Sequence, residues 1–248
     1  MADDTASQRE GQGNAAARSL KGLALFDGLD EAELRRLETS CRWRLFRVGE
    51  QVLETGSDSR DVFFIVQGAV NIVDFSLSGR EIGFATAGTG TYFGELSAID
   101  GQPRSAYAIA AEDSLLASLA PNLFLELLQR RAEITFKVLQ RLAQMVRAGD
   151  LRIMELSTLA ATQRVYAELL RMAVPDSAVP GLWVVRPLPP LREIASRTST
   201  TRETVNRALA QLYPLDLLRR KGRNLYVMNR AALEDIVRTL QLQGSARA

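Results

Sequence analysis

Between Trp43 and Leu119 the apolar residues come in short runs. Val62–Val66, Ala69–Val73 and Glu81–Ala85 are rich in β-branched and aromatic side chains, and Gly49, Gly56, Gly68, Gly79, Gly88 and Gly94 punctuate the region. Such side chains suit a pleated surface and such glycines suit tight turns, so an antiparallel barrel or roll is predicted. Ahead of it, Leu23–Phe26 followed by Asp30–Leu34 reads as a short helix with acidic residues at its positive end. Past Pro121 the period lengthens to threes and fours, through Phe124, Leu127, Leu128, Ile134, Val138, Leu142, Met145, Val146, Ile153, Leu156 and Leu159. That stripe outreaches a small barrel. A helix over residues 131–162 is therefore expected to pack on a second copy of the chain, through Val138, Leu142, Met145 and Leu156. Gly149 costs about 1 kcal/mol in a helix interior and leaves open a break into two shorter helices.

A second pattern starts near Gln163. Val165–Ala173 has a helical period, and Val174-Pro175-Asp176-Ser177 ends it. Pro187-Leu188-Pro189-Pro190 then leads into a short helix, Leu191–Arg197. Thr200 and Glu203 have capping-box spacing that predicts a helix from Thr201, and Pro214 limits that helix to about Tyr213. Two short helices around a tight turn form a helix-turn-helix candidate, and Leu217–Met228, with Gly222-Arg223-Asn224 at its tip, reads as the hairpin of a wing. Arg202, Glu203, Asn206 and Arg207 share one helix face. Arginine forks match the two acceptors of guanine and a carboxylate accepts from the cytosine amino group, so this face suits the major groove.

Charge sharpens the picture. Residues 164–248 hold fourteen Lys and Arg against seven Asp and Glu, whereas residues 1–163 hold seventeen against twenty-two. A cationic final third on an acidic remainder fits a polyanionic partner, for which double-stranded DNA is the expectation. The chain has no histidine and one cysteine, Cys41, which removes multi-cysteine clusters, internal disulfides, the usual zinc sites and imidazole-based triads. Cys41 reads as a small core residue, and neither a catalytic residue nor a metal site is assigned. Residues 1–20 read as a disordered tail without a secretory core, and no apolar run is long enough for a bilayer, so a cytoplasmic protein without membrane contact is expected.

Three segments carry a resemblance to a known family. Phe93-Gly94-Glu95-Leu96-Ser97 with Gly101-Gln102-Pro103-Arg104-Ser105-Ala106 resembles the phosphate-binding cassette, and Arg202–Leu209 the recognition helix, of the cyclic AMP receptor protein and fumarate–nitrate reduction regulator superfamily. The resemblance covers nearly the whole chain from Leu23. It implies an α+β homodimer with a cyclic-nucleotide-binding β-roll at residues 21–130, a long central dimerisation helix at 131–162 and a C-terminal winged helix-turn-helix at 163–248. It also implies a transcription regulator that binds an inverted repeat, with RNA polymerase as a further partner and no enzymatic activity. Arg202, Glu203 and Arg207 then face the bases, Thr200, Thr201 and Asn206 are further DNA-binding residues, and Lys221 and Arg223 are wing contacts to phosphate.

The cassette also makes chemical sense by itself. Arg104 offers a charged fork to a phosphate, Ser105 adds a hydroxyl, Gly94 and Leu96 present backbone N–H groups, and Glu95 accepts from a ribose 2′-hydroxyl, with Ser97 completing the motif. Glu95, Arg104 and Ser105 lack the metal ligands or activated base that phosphodiester cleavage needs. The family's adenine-contacting pair falls on Gly149 and Asp150. A carboxylate accepts both pairing-edge donors of guanine but meets a lone pair on adenine, so cyclic GMP is expected over cyclic AMP as the effector, with no other cofactor. The sequence departs from the family in two turns: Ser199 and Asp216 stand where glycine is frequent. A ligand-independent regulator, or a cyclic-nucleotide-binding module that does not act through DNA, remains an alternative.

Overall fold

A computed structural model describes residues 18–245, with side chains to residue 238. These form two compact units, one built from residues up to Asp74 plus Phe84–Ala143, the other from Phe75–Gly83 plus the chain from Gln144 onward. The predicted tail lies outside the described residues up to residue 17. Its last residue does not behave as tail: Leu20 is buried, and Ser19 Oγ and the Leu20 N–H both donate to Glu38 Oε1 at 2.8 Å.

The first unit begins with a single 3-10 turn, Ala24–Phe26, and helix α1, Glu31–Ser40, whose Asp30 cap accepts from the Glu33 N–H while Glu33 returns the contact. Eight strands follow: β1 Arg42–Phe46, β2 Gln51–Leu53, β3 Val62–Gln67, β4 Ala69–Phe75, β5 Glu81–Gly88, β6 Tyr92–Phe93, β7 Tyr107–Ala110 and β8 Ser114–Leu119. Helix α2, Glu95–Asp100, lies between β6 and β7, and α3, Pro121–Arg130, follows β8. Two four-stranded sheets run in the orders β1-β8-β3-β6 and β2-β7-β4-β5. Their facing sides enclose Phe46, Ile65, Val70, Phe93, Ala108 and Leu116. Because side chains alternate along a strand, Phe64, Tyr92 and Ala117 point the other way. There they join Leu20, Leu25, Phe26, Phe124, Ile134 and Val138 in a second core. A sheet buried on both faces explains why Val62–Val66 reads as an unbroken apolar run. Cys41 belongs to this second core, and burial pushes its thiol up to about 12, as the core reading expected.

The long helix α4 runs unbroken from Ala132 to Thr158. It does not break at Gly149, and it stops four residues short of the predicted end. The chain turns at Leu159–Ala160, where Gln163 Oε1 accepts from the Ala160 N–H at 2.7 Å. The expected dimer stripe also needs correction. Val138 is only 2% exposed and Leu142 packs beside it, both against this chain's own roll, as does Ile134. Met145 and Leu156 of that stripe do stay open, at 42% and 45% exposure, as do Phe136, Leu139, Val146, Leu151, Ile153 and Met154. Apolar residues thus line more than one side of this helix, and the period alone does not assign the sides.

In the second unit α4 is followed by α5 Ala161–Met172, β9 Val174–Pro175, β10 Trp183–Val185, α6 Leu191–Arg197, α7 Arg202–Leu212, β11 Leu218–Lys221, β12 Asn224–Val227 and α8 Arg230–Ser245. The strands pair antiparallel in the order β11-β12-β10-β9. Val165, Leu169, Ile194, Val205, Ala208, Leu212, Leu225 and Leu233 are fully or almost fully buried in one core, so α5, α6, α7, α8 and the hairpin fold as a single body. Helix α7 starts one residue later than expected. Its cap is Thr201, whose hydroxyl accepts from the Thr204 N–H at 3.2 Å, and Thr200 is buried in the turn before it. Among the described residues, Ser199 (φ 48°) and Asp216 (φ 53°) are the non-glycines with positive φ. These are the two positions at which the sequence departs from the family's frequent glycine.

Candidate ligand and nucleic-acid sites

In the first unit, Gly94 closes β6 in the left-handed region (φ 85°) and caps α2. A side chain there would also collide: an added Cβ would lie 2.8 Å from Arg104 Nη1 and 2.9 Å from the Asp61 carbonyl. Arg104 is almost completely buried beneath this glycine. Its Nη1 donates to the Gly94 carbonyl at 2.8 Å, Nη2 to the Asp61 carbonyl at 2.6 Å and Nε to Ser59 Oγ at 3.0 Å. The open fork expected from the sequence is therefore a tethered one, with one N–H on each Nη beyond these bonds. Burial lowers the affinity of Arg104 for its proton, and Asp61 and Glu95 counter this.

Glu95, the first residue of α2, is 3% exposed. Burial pushes its carboxyl above the usual carboxylate range, against the pull of its own backbone N–H and of Arg141 and Arg104. Arg141, from α4, lies over the Tyr92 ring at 4.4 Å and donates to the Tyr92 carbonyl at 2.6 Å, while its Nε stands 3.8 Å from Glu95 Oε1. The Tyr92 hydroxyl and Arg141 Nε are buried without a hydrogen-bond partner among the described residues. Leu96 is half-buried, Ser97 buried and Ser105 exposed. Gly94, Glu95 and Arg104 thus come together as expected, with Leu96, Ser97 and Ser105 beside them in the chain. Asp61, Ser59, Tyr92 and Arg141 were not foreseen. Asp61 accepts from Arg104 through its main-chain carbonyl, which no residue type reveals, and attracts it through its carboxylate as well, while a charge at position 141, between Val138 and Leu142, is a usable signal. Gly149 and Asp150 lie in the second unit on an exposed stretch of α4.

The second unit presents Thr201, Arg202, Glu203, Asn206 and Arg207 to solvent on α7, while Val205, Ala208, Leu209 and Leu212 are buried beneath them. Thr200 is not part of this face. Glu203 is held below the usual carboxylate range by its own backbone N–H and the Thr201 hydroxyl, so it is ionised and able to accept. Lys221 and Arg223 are exposed at the tip of the β11–β12 hairpin, where Gly222 has φ 61°. No ion pair among the described residues engages Arg202, Arg207, Lys221 or Arg223, which leaves these cations open to phosphates and bases. By contrast, Arg219 pairs with Asp216 at 3.2 Å.

Residues 43–131 match the cyclic nucleotide-binding domain family, and residues 163–236 match the Crp-like helix-turn-helix domain. The chain is 30% identical over 217 residues to the cyclic AMP receptor protein of Thermus thermophilus, covering 88% of this chain and 98% of that protein. The chain belongs to the Crp/Fnr family of transcription regulators. Within the family it is 27% identical over 198 residues to the cAMP-activated global transcriptional regulator Vfr of Pseudomonas aeruginosa, covering 78% of this chain and 92% of Vfr. The solved structure of FixK2 from Bradyrhizobium japonicum superposes with a TM-score of 0.63 at 25% identity, over 79% of this chain and 96% of FixK2. This Crp/Fnr chain is therefore a DNA-binding transcription regulator with a cyclic nucleotide-binding domain, built as an N-terminal β-roll and a C-terminal helix-turn-helix.

Proposed function

We propose that the chain acts in the cytoplasm as a non-enzymatic homodimer that binds a cyclic nucleotide in the roll and an inverted DNA repeat through α7, and so regulates transcription by RNA polymerase. The observation that carries the ligand reading is the convergence of Gly94, Glu95 and Arg104. A glycine that admits close approach, a carboxylate that accepts and a guanidinium with N–H groups to spare suit an anion with a hydroxyl beside it. Ser105 and the first-turn N–H groups of α2 supply further donors. The exposed stripe Phe136, Leu139, Val146 and Ile153 supports the dimer, since its last three members recur every seven residues along an open helix face.

Cyclic GMP is the favoured effector in this reading, with Asp150 accepting from guanine N1–H and N2–H and Gly149 leaving room beside it. The relatives carry cyclic AMP in their names, so the two nucleotides must be compared directly. Calorimetric titration with cyclic GMP and cyclic AMP should show tighter binding of cyclic GMP. Asp150→Ala should remove about 1–3 kcal/mol of that preference. Wild-type preference for cyclic AMP would overturn the guanine assignment, and failure of both nucleotides to bind would overturn the ligand reading. DNA binding of whichever complex forms, measured with and without the nucleotide, tests the regulatory step.

A further inference from the structure

The turn between α6 and α7 is closed by its own main chain, the Ser199 N–H donating to the Ser196 carbonyl at 3.3 Å and the Thr200 N–H to the Ala195 carbonyl at 2.9 Å, and it is also held from outside. Ser199 occupies the left-handed region, where a Cβ crowds the backbone, and it does so without the freedom of glycine. Side chains from earlier helices grip this turn at three oxygens. Arg164, on α5, donates through Nε to the Thr198 carbonyl at 2.9 Å and through Nη2 to the Ser199 carbonyl at 3.3 Å. The same guanidinium donates through Nη1 to the Leu159 carbonyl, at the end of α4, at 2.8 Å. Arg152, on α4, donates to Ser199 Oγ at 3.1 Å.

Burial weakens the hold of Arg152 and Arg164 on their protons. The buried Glu168 and Glu155 counter this for Arg152, against repulsion from Arg171 and Arg164, and Glu155 counters it for Arg164. Arg171 pairs with both carboxylates, and Arg197 of α6 joins Glu168 at 3.5 Å to Glu193 at 2.6 Å. One ion-pair network therefore spans α4, α5 and α6, beside the two arginines that hold the turn. Helix α7 begins at Arg202, three residues after Ser199, so the backbone path through Ser199 sets its direction.

We propose that Arg152, assisted by Arg164, is a positioning residue for DNA recognition: it holds the strained Ser199 turn and so ties the aim of α7 to the C-terminal half of α4. The inference rests on α7 being the DNA-reading helix. It assigns these two arginines to the turn, away from the DNA. A left-handed serine relaxes when its hydroxyl loses the cation, whereas a glycine at 199 needs no such hold.

The test is a double-mutant cycle on the full chain, with Arg152→Met, Ser199→Gly and their combination, and Arg152→Lys as the conservative variant. Affinity is measured for a duplex that the wild type enriches from random DNA, at several salt concentrations. Arg152→Met should weaken binding about tenfold in the Ser199 background and less than twofold in the Ser199→Gly background, with Arg152→Lys restoring part of the loss. The slope of affinity against salt should stay unchanged. A slope reduced by about one would make Arg152 a phosphate contact and overturn the proposal. Equal losses in both backgrounds would overturn it too, as would a loss matched by a general fall in thermal stability. Amide hydrogen exchange without DNA supplies a second arm: residues 198–204 should exchange about tenfold faster in Arg152→Met, and unchanged exchange refutes the clamp. If the wild type enriches no sequence, DNA reading by α7 fails, and the exchange arm still decides the clamp.

Discussion

Replacing Ile153 by aspartate tests which face of α4 joins two copies of the chain. Ile153 is 64% exposed, and fully burying an isoleucine is worth about 1.5–3 kcal/mol. Covering its open surface in a partner would contribute about 1–2 kcal/mol per copy, or about 2–4 kcal/mol for a symmetric dimer. Aspartate forfeits this and leaves two carboxylates facing apolar surface, so the dimer dissociation constant should rise at least a hundredfold. Val138→Ala is the opposite probe. Val138 is 2% exposed within its own roll, so its loss should lower fold stability by about 1–3 kcal/mol and leave dimerisation alone. Sedimentation equilibrium should return twice 27.3 kDa for the wild type and Val138→Ala, and a monomer for Ile153→Asp at micromolar concentration. A stable Ile153→Asp dimer, or dissociation caused by Val138→Ala alone, would refute the argument.

Arg202→Ala and Arg207→Ala should each cost about 1–3 kcal/mol in DNA affinity and relax sequence preference locally, in a competition assay over single-base variants of the selected site. Lys221→Ala and Arg223→Ala should weaken all sequences alike and flatten the salt dependence of binding. For Glu95, burial raises the folded-state pKa, so the stability linked to its proton is fully present below the ordinary carboxylate pKa and lost as pH rises through the folded value. Glu95→Gln should therefore raise the melting temperature at pH 7 with little effect near pH 4, and a fall at pH 7 would contradict the assignment. Asp216→Gly should relieve left-handed backbone strain and raise stability by about 0.5–1 kcal/mol in denaturant unfolding, less whatever the exposed pair with Arg219 contributes.

Local chemistry in this sequence was legible where a residue's type dictates its backbone. Glycines between β-branched runs marked the turns of the roll, and Pro214 set the end of α7 to within about a residue, at Leu212. Ser199 and Asp216 stood out as departures, and both prove to carry the positive φ that glycine would have supplied. The helix starts one residue beyond the expected position because Thr200 and Thr201 are both competent caps. The choice fell to the turn, which buries Thr200 and bonds its N–H to the Ala195 carbonyl at 2.9 Å.

What was not legible depends on surfaces that meet only in the fold. The period of α4 announces apolar residues on a helix without saying which neighbour covers each side. Val138 and Leu142 accordingly fit a partner chain by period, and the roll of their own chain takes them. The cassette's arginine is shaped by packing in a related way. Arginine predicts an anion, yet main-chain carbonyls of Asp61 and Gly94 already engage the guanidinium of Arg104, and no pattern of residue types encodes a carbonyl's direction. Both outcomes have one physical origin: a side chain's type fixes what it can bond, and tertiary packing fixes which competing partner is near enough. A buried guanidinium held by carbonyls has already met part of its desolvation cost in folding. A bound phosphate would then find a preorganised donor, gaining from orientation in place of new side-chain ordering.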